Sequence, residues 1–196
     1  MSSMKTIIKT IKISIILLIL VCAWQVAYTY FVTAVAQIAM PDKANGSLLY
    51  VNGEVVGSEL IGQSFTTPGY FHGRPSALNY EGDEAAGSNL GPSSAKLMKE
   101  VTQRVEQVRR ENGLAADASV PADLVLASAS GLDPHISVAS AMIQVQRIAT
   151  ARGLPESEVK ALVDQHIEPP QFGVLGQEKV NVLKLNLDLN ELTRGN

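Results

Sequence analysis

Residues 127–137, which read ASASGLDPHIS, bring the side-chain types of a hydrolytic centre close together. A serine could supply a nucleophile, while a histidine and an aspartate could supply the base and the group that orients it. The candidates are Ser128, Ser130, Asp133 and His135. However, the elbow G-x-S-x-G is absent, and catalytic triads are assembled across a fold rather than along one helical start. A membrane-anchored Ser-His-Asp hydrolase is therefore disfavoured.

The same segment has the features of a helix start. Asp133 is a good N-cap, and Pro134 suits the first helical position, where no N–H group is needed. Gly153, followed by a leucine and a proline, predicts that this helix ends after Arg152. The apolar face between these ends consists of Val138, Ala141, Met142, Val145, Ile148 and Ala149. We therefore expect a helix from Asp133 to Arg152, which explains Asp133 without catalysis.

Metal binding through histidine is disfavoured by the spacing of the histidines. They stand singly, and no H-x-x-x-H pair places two of them on one helical face. Each is better explained as a partly buried side chain that is hydrogen-bonded to the backbone. The residues considered are His72, His135 and His166, together with Asp133. We expect no metal site.

Residues 87–94, GSNLGPSS, lead into a helix as phosphate-binding loops do. The spacing is not that of a P-loop, and the lysine that reaches the phosphates is missing. A helix N-terminus can still hold an anion weakly. An ordinary helix entry made of glycine, proline and serine is the favoured interpretation.

Residues 70–75, YFHGRP, combine aromatic rings with a guanidinium group, and both are enriched in the cores of interfaces. A docking loop is one interpretation. An ordered surface loop, in which Arg74 caps carbonyl groups, is equally consistent with the residue types. The candidates for partner docking are Gln63, Phe65, Tyr70, Phe71 and Arg74.

An apolar segment without a charged side chain runs from Ile13 to Pro41. Since about 20 apolar residues cross a bilayer core, we expect a transmembrane helix over residues 13–36. A cleaved signal peptide is the alternative, because Ala34-Val35-Ala36 satisfies the small-x-small rule, but its apolar region would be shorter. Cys22, the only cysteine, lies in this segment, so the soluble domain can hold no internal disulfide.

The charge pattern predicts the orientation of the chain. Three lysines precede the apolar segment: Lys5, Lys9 and Lys12. Because positive charge stays on the cytoplasmic side, we expect residues 1–12 inside and residues 37–196 outside. Of 16 Lys+Arg and 19 Asp+Glu, only three lysines fall in residues 1–41, so the remainder has 13 bases, 19 acids and a net charge of −6. Such a surface repels nucleic acid and anionic lipid, so we expect no nucleic-acid partner.

The first part of the soluble domain is predicted to be a hairpin and a long loop. Asn52-Gly53 separates the apolar runs 48–51 and 54–61, and this pair favours a tight hairpin turn. The loop that follows extends to Ser94, and loops of such length are functional or disordered. Because its aromatic residues can be buried, we expect it to be ordered and packed on the domain. These residues are Phe65, Tyr70, Phe71 and Tyr80.

Residues 94–112 predict a surface helix, because apolar side chains recur at spacings of four, four and three residues. Ser93 or Ser94 can cap its start, and Gly113 follows its end. The apolar stripe consists of Leu97, Val101, Val105 and Val108.

Two further elements complete the soluble part. Pro155 opens a helix that Pro169-Pro170 ends. Residues 183–189 alternate between apolar and polar, which predicts a strand with its leucines on one face and a bulge or change of face near residues 182–183. The expected architecture is α+β, with one N-terminal transmembrane helix followed by a single mixed helix/sheet extracytoplasmic domain.

Seven segments carry a resemblance to a known family. They are GQSF at 62–65, YFHGRPSA at 70–77, SNLGPSS at 88–94, VPADLV at 120–125, SASGLDPHIS at 128–137, QVQRIATARGL at 144–154 and VNVLKLNL at 180–187. In order and spacing they resemble the KdpC family, whose members belong to the bacterial Kdp potassium-transporting ATPase. The resemblance covers nearly the whole chain, including the membrane helix. Departures at Ala85-Ala86 and at 177–179 leave the glycine and proline positions intact.

This resemblance implies an accessory subunit in the bacterial inner membrane. Its partners would be a potassium-translocating membrane subunit, a P-type ATPase subunit and a small membrane peptide. It also implies a catalytic chaperone that raises the ATP affinity of the ATPase subunit, with ATP as a shared ligand. The matching nucleotide-binding or partner-contact candidates are Ser88, Asn89, Gly91, Ser93, Ser128, Ser130, Gly131, Asp133, His135 and Ser137.

The implied sharing of ATP conflicts with the predicted orientation. ATP is cytoplasmic, whereas the lysine pattern places residues 37–196 outside. An effect on ATP affinity would then pass through the membrane helix and the partners as a coupling free energy. We expect the domain to dock on the outer face of the potassium-translocating subunit, where its charge raises the local cation concentration. The alternative function is a membrane-anchored extracytoplasmic hydrolase or ligand-binding sensor.

Overall fold

The computed structural model describes residues 2–195, in two compact units that divide after Leu48. The first unit consists of α1 (Ser2–Ala39) and the short α2 (Pro41–Ala44). Helix α1 is long and apolar enough to cross a membrane, with a mean hydropathy of 2.3, and none of that window is buried by protein. A helix that is apolar all round needs protein or lipid around it. The predicted span 13–36 lies within α1.

The predicted hairpin is confirmed. Strand β1 (Leu48–Val51) pairs with β2 (Glu54–Ser58) across a two-residue turn. Asn52 and Gly53 have φ values of 53° and 84°, so both adopt the left-handed conformation that this tight turn requires. The second strand is shorter than the apolar run, because the chain bends after Ser58 toward the loop.

The predicted surface helix is also confirmed. It is α3 (Ala95–Glu111), and its four apolar stripe residues are half-buried. The Ser94 hydroxyl oxygen accepts a hydrogen bond from the Leu97 N–H group, as an N-cap does. Gly113 follows the helix with a φ of 63°, which a residue with a β-carbon adopts at a cost.

The helix expected from Asp133 does not begin there, and that prediction was wrong. Residues 135–137 form strand β3 (His135–Ser137), and helix α4 (Val138–Met142) starts only afterwards, with Ser137 as its N-cap. Asp133 Oδ1 instead accepts the His135 N–H group at 3.0 Å, which turns the chain into the strand. Helix α5 (Val145–Arg152) then ends before Gly153 as predicted.

A three-stranded sheet with the order β3-β5-β4 organises the middle of the domain. Strand β5 (Lys179–Asn181) pairs antiparallel with β3 on one side and with β4 (Ile167–Glu168) on the other, so Val180 lies opposite both Ile136 and Ile167. Helix α6 (Glu156–Gln165) follows Pro155, as predicted, and packs its apolar face on the core. The core cluster consists of Phe71, Ile136, Ala141, Val145, Ile148, Ala149, Val159, Leu162, Val163, Val180, Val182, Leu185 and Leu189.

The predicted strand at residues 183–189 is wrong, since the structure has helix α7 (Val182–Gly195) there. A run of alternating leucines also contains the helical spacing i, i+3 and i+7, which Val182, Leu185 and Leu189 use, and all three are buried. The Asn181 side chain accepts the Lys184 N–H group at 3.2 Å and so caps the helix. The change of face expected near residues 182–183 is the point where strand β5 becomes helix α7.

Candidate functional site

The segment Phe71–His72 is held by two buried side-chain amides in place of a neighbouring strand. Asn186 of α7 accepts the Phe71 N–H group at 2.8 Å and donates to the Phe71 carbonyl at 2.9 Å. Gln144 accepts the His72 N–H group at 2.8 Å and donates to the His72 carbonyl at 3.2 Å. Both amides are about 1% exposed. All four backbone groups are thereby satisfied, so this part of the loop is ordered without a sheet.

Arg147 of α5 fixes the loop immediately before this segment. Its guanidinium donates to the carbonyls of Pro68 and Tyr70, the latter at 3.1 Å. It also donates to Asn112 Oδ1 at 3.0 Å and to Gln144 Oε1 at 2.7 Å. Burial lowers the pKa of Arg147, and Glu111 opposes this shift. One guanidinium therefore connects the loop, the end of α3 and the start of α5.

Arg152, one and a half turns further along α5, holds the same loop from the other side. It donates to the Gly69 carbonyl at 2.5 Å, and its guanidinium carbon lies 4.5 Å from the centroid of the Tyr70 ring. It also donates to Asn190 and Thr193 of α7, each at 3.0 Å. The segments YFHGRPSA, QVQRIATARGL and VNVLKLNL thus form one hydrogen-bonded unit.

The predicted docking residues are largely engaged inside the domain. Phe71 is fully buried in the core, so its ring is not available to a partner in this structure. Phe65 and Tyr70 pack against each other with their centroids 5.5 Å apart, and Gln63 donates to the Val56 carbonyl at 2.8 Å. These contacts favour the interpretation as an ordered, packed loop. Docking through the remaining candidates stays a prediction.

Asp133 lies at the junction between this loop and strand β3. Arg74 donates to Asp133 Oδ2 at 2.9 Å, and His135 Nδ1 lies 3.6 Å from Asp133 Oδ1. Burial alone would raise the pKa of Asp133, but hydrogen bonds from His135 and Arg74 lower the pKa to about 2. A carboxylate with so low a pKa is a weak general base at neutral pH. Its role here is to hold Arg74 and the start of β3.

The two glycines of the segments GQSF and YFHGRPSA make room for Tyr80. A β-carbon at Gly73 would lie 2.7 Å from the Tyr80 hydroxyl oxygen, and one at Gly62 would lie 2.6 Å from Cε1 of the Tyr80 ring. Tyr80 donates to the Arg74 carbonyl at 2.6 Å, and burial, with the Asp133 charge, raises the pKa of Tyr80 to about 12. Tyr80 therefore remains a hydrogen-bond donor.

A chain of ionisable side chains extends from His135 across the sheet. His135 Nε2 lies 3.4 Å from Glu168 Oε2, and Glu168 in turn lies 3.6 Å from Lys179 Nζ. Lys184 lies 3.8 Å from Glu168 and pairs with Glu59. Ion pairs at this exposure contribute little individually, but together they connect β3, β4, β5 and α7.

The contacts that the structure describes do not pair the serines of the opening segment with His135. Ser128 is 3% exposed, and the Ser130 hydroxyl oxygen accepts the Leu132 N–H group at 3.1 Å. Across residues 2–195, neither serine has a hydrogen bond to His135. The Ser137 hydroxyl donates to Asp123 Oδ1 at 3.1 Å, so it belongs to the cap of α4. The structure explains these side chains through local folding.

The start of the first candidate nucleotide segment lies beside the second, since a β-carbon at Gly87 would lie 3.1 Å from the Ala129 carbonyl oxygen. The Ala86 N–H group donates to the Ser130 carbonyl at 3.1 Å, and a β-carbon at Gly131, whose φ is 71°, would lie 2.9 Å from the Ala86 carbonyl oxygen. The exposed candidates in the first segment are Ser88, Asn89, Gly91 and Ser93.

The groove beside β3 does not have the charge that a triphosphate requires. Its volume is about 640 Å³, and the candidates Asp133, His135 and Ser137 line it. Its other charged residues are Arg74, Lys179, Asp123 and Glu178. Three carboxylates therefore face two cations, whereas phosphate sites combine cations with free backbone N–H groups. These residues do not fit ATP, and nucleotide binding by the chain stays a prediction.

Two of the three histidines form local hydrogen bonds to the backbone, while the His135 ring lies between Asp133 and Glu168. His72 Nε2 lies 3.0 Å from the Thr67 carbonyl oxygen, and His166 Nδ1 lies 2.9 Å from the Leu162 carbonyl oxygen. His72 faces a cavity of about 280 Å³ between the loop and α3, and burial together with Arg147 lowers the pKa of its imidazole. In the part of the chain that the structure describes, no group of three or more His, Cys, Asp or Glu residues is placed to hold a metal ion.

The low pKa of Asp133 predicts a loss of stability in acid. Because the folded-state pKa of about 2 lies below the ordinary value of 3.8, Asp133 stabilises the fold above pH 4 and loses this effect as the pH falls toward 2. Since solvent partly screens the pair, we expect a contribution of about 1–2 kcal/mol. Urea titrations between pH 5 and pH 2 measure the free energy of unfolding. In the Asp133→Asn variant, the decrease of this free energy that Asp133 causes as the pH falls should be absent. Asp83→Asn, at an exposed position, should keep the wild-type pH profile, and identical profiles for all three proteins would contradict the assignment.

Sequence reasoning missed the residues that hold the loop. The alternation over residues 183–189 places Asn186 on the polar face of the predicted strand, and Gln144 and Arg147 stand out in the sequence only as part of a family segment. A long polar side chain that interrupts a broad apolar helix face was the available signal. It also missed the exposed apolar residues Phe172 and Val174, which follow two prolines and flank a glycine.

Comparison with known proteins agrees with the resemblance of the seven segments. Residues 7–191 match the family model of KdpC, the c chain of K⁺-transporting ATPase. A potassium-transporting ATPase KdpC subunit from Nitratidesulfovibrio vulgaris is 48% identical over 190 residues, 95% of this chain and 94% of the relative. The KdpC subunit of Gemmatimonas aurantiaca is 52% identical, and the match covers 86% of this chain and 85% of the relative. The KdpC subunit of Bacteroides fragilis is 43% identical, and the match covers 96% of this chain and 98% of the relative. The chain therefore belongs to the KdpC family of K⁺-transporting ATPases.

Proposed function

We propose that the chain is a non-catalytic accessory subunit that assembles or stabilises the high-affinity, ATP-driven potassium uptake complex. Helix α1 would anchor it in the bacterial inner membrane, beside the potassium-translocating subunit, the P-type ATPase subunit and the small membrane peptide. The observation that carries this proposal is that Asp133 and His135 contact each other and their neighbours at the start of β3, while the Ser130 and Ser137 hydroxyl groups take part in a turn and a helix cap. No observation favours the hydrolase or the ligand sensor over this function.

We also propose that the soluble domain lies outside the cell, on the outer face of the potassium-translocating subunit. The three lysines at the start of α1, with no acidic residue beside them, support this orientation. In that position the net charge of −6 on the domain would raise the potassium concentration near the entrance of the translocation path.

The proposed effect on the ATP affinity of the ATPase subunit is indirect. A groove with more carboxylates than cations is a poor site for ATP, which supports transmission through α1 and the partner subunits. Such coupling is reciprocal, so ATP binding to the ATPase subunit would strengthen the association of this chain by the same factor.

The orientation can be tested with single cysteines in a Cys22→Ser background. Ser130 is exposed on the soluble domain, and Ser3 lies at the start of α1. We expect a membrane-impermeant maleimide to label Ser130→Cys in intact cells whose outer membrane has been opened, and to label Ser3→Cys only after the inner membrane is permeabilised. The reverse pattern would place the domain inside and remove the case for indirect coupling.

Copurification separates the proposed function from that of an independent enzyme. If the chain is extracted with a mild detergent, we expect it to remain with large membrane subunits. If all subunits are expressed at wild-type levels and the chain is nevertheless extracted without any of them, the accessory role is contradicted.

A further inference from the structure

Three large apolar side chains project from the turn between β4 and β5. This turn, residues 170–176 with the sequence PQFGVLG, forms the apolar tip of the domain. Phe172 is 84% exposed, Val174 79% and Leu175 58%. No charged residue occurs between Pro169 and Gln177. Apolar side chains that are clustered and exposed in this way mark a surface that another molecule covers.

Hydrogen bonds hold the apolar tip in one conformation. The backbone groups of Gln171 and Leu175 bond to each other in both directions, each at 2.9 Å, and the Gly173 N–H group donates to the Pro170 carbonyl at 2.9 Å. Phe172 has a φ of 55°, a conformation that a bulky residue adopts only when its surroundings impose it. The phenyl ring is therefore presented outward on a fixed backbone, which reduces the entropy lost on binding.

The base of the tip is fixed to the sheet. Strands β4 and β5 pair at Ile167↔Val180 and Glu168↔Lys179, and the Glu168 and Lys179 side chains lie 3.6 Å apart. Val180 is fully buried. The tip thus has a defined position relative to the core, unlike a flexible loop end.

The charge of the domain argues for a protein as the occupant. A bilayer rich in anionic lipid would repel a domain with a net charge of −6, and Glu168 and Glu178 flank the tip. A second copy of the soluble unit offers little complementarity, because its described cavities at His72 and beside β3 have charged side chains in their walls. The described apolar cavity, lined by Leu18, Cys22 and Val26, lies on α1 in the segment expected inside the membrane. The chain belongs to a family of subunits of the K⁺-transporting ATPase, so the other subunits of that complex are the proteins that it is expected to contact.

We propose that the apolar tip inserts into an uncharged apolar pocket on another subunit of the same potassium-transporting ATPase, with Phe172 as the main anchor. This inference rests on the proposed function and assigns the docking contact within it. Aromatic residues that enter a closed pocket dominate the affinity of many interfaces, so a small tip suffices for a large effect.

The test compares Phe172→Ser/Val174→Ser with Leu60→Ser/Met98→Ser, which removes two other apolar side chains, each 59% exposed. Each full-length chain is titrated, in detergent, into the complex of the remaining subunits. We expect the tip variant to bind at least tenfold more weakly and the control to bind as the wild type does. Thermal unfolding of both variants should match the wild type, because these side chains are outside the core cluster.

The possible outcomes separate the two proposals. Wild-type affinity of the tip variant would overturn the role of the tip and leave the accessory function intact. Failure of the unmodified chain to bind the other subunits would overturn the accessory function itself. If the wild type binds phosphatidylethanolamine/phosphatidylglycerol vesicles and the tip variant does not, the tip binds lipid and the proposal is contradicted. If the wild type forms a dimer in sedimentation and the tip variant does not, the tip contacts a second copy, which also contradicts the proposal.

Discussion

Replacing Arg147 with alanine is expected to lower the free energy of unfolding by about 3–5 kcal/mol. The guanidinium donates to two loop carbonyls and to the side-chain oxygens of Asn112 and Gln144. Removing a half-buried charged donor leaves these acceptors unsatisfied, and each such loss costs about 1–3 kcal/mol before the structure relaxes. Urea unfolding of the full chain in detergent, followed by near-ultraviolet circular dichroism of the tyrosines, measures the change.

Two variants show whether the geometry or only the charge matters at this position. Arg147→Lys keeps the charge but cannot reach four acceptors at once, so we expect it to recover less than half of the loss. Arg110→Ala, at an exposed position of α3, should change stability by less than about 0.5 kcal/mol. Equal stabilities of Arg147→Ala and Arg110→Ala would show that the loop is held by other contacts.

Replacing Asn186 with leucine is expected to cost about 2–5 kcal/mol and to release the loop. The two side chains are similar in size, so the main loss is polar. The Phe71 N–H and carbonyl groups would be left buried without partners, at about 1–3 kcal/mol each. Hydrogen exchange at the Phe71 and His72 amides, measured by mass spectrometry, should accelerate more than exchange in α3.

The matched control for this prediction lies on the same helix. Glu191→Leu introduces the same side chain at an exposed position of α7, and we expect wild-type exchange in the loop. If Asn186→Leu leaves the exchange at Phe71 unchanged, the amide does not hold the loop. Combining Asn186→Leu with Gln144→Leu should give less than the sum of the two losses, since both side chains hold the same short segment and the first replacement already releases it.

The elements that the sequence predicts well are those with local signals. Asn52-Gly53 requires positive φ values at both positions, and Ser94 and Gly113 mark the ends of α3 within a few residues. The α+β class, with one long apolar helix first, is confirmed for the same reason. The family resemblance is confirmed by the match over residues 7–191. The extracytoplasmic placement stays a prediction.

The errors arise where distant residues decide the local conformation. Asp133 and Pro134 have the pattern of a helix start, but pairing between β3 and β5 requires an extended backbone from His135 onward. The leucines after Val182 fit a strand and a helix equally, and burial of Asn186 against Phe71 selects the helix. That contact joins residues 115 positions apart, so no local pattern shows it. The same holds for Gln144 and His72.

The long separation between Phe71 and Asn186 has a consequence for biosynthesis. The loop emerges from the ribosome well before helix α7, which supplies its amide partner and several core residues. Until α7 has been synthesised, the loop lacks the Asn186 amide and the core lacks several of its residues, so the domain can complete its folding only late in synthesis. Premature termination upstream of Val182 would therefore leave a chain that cannot complete its core.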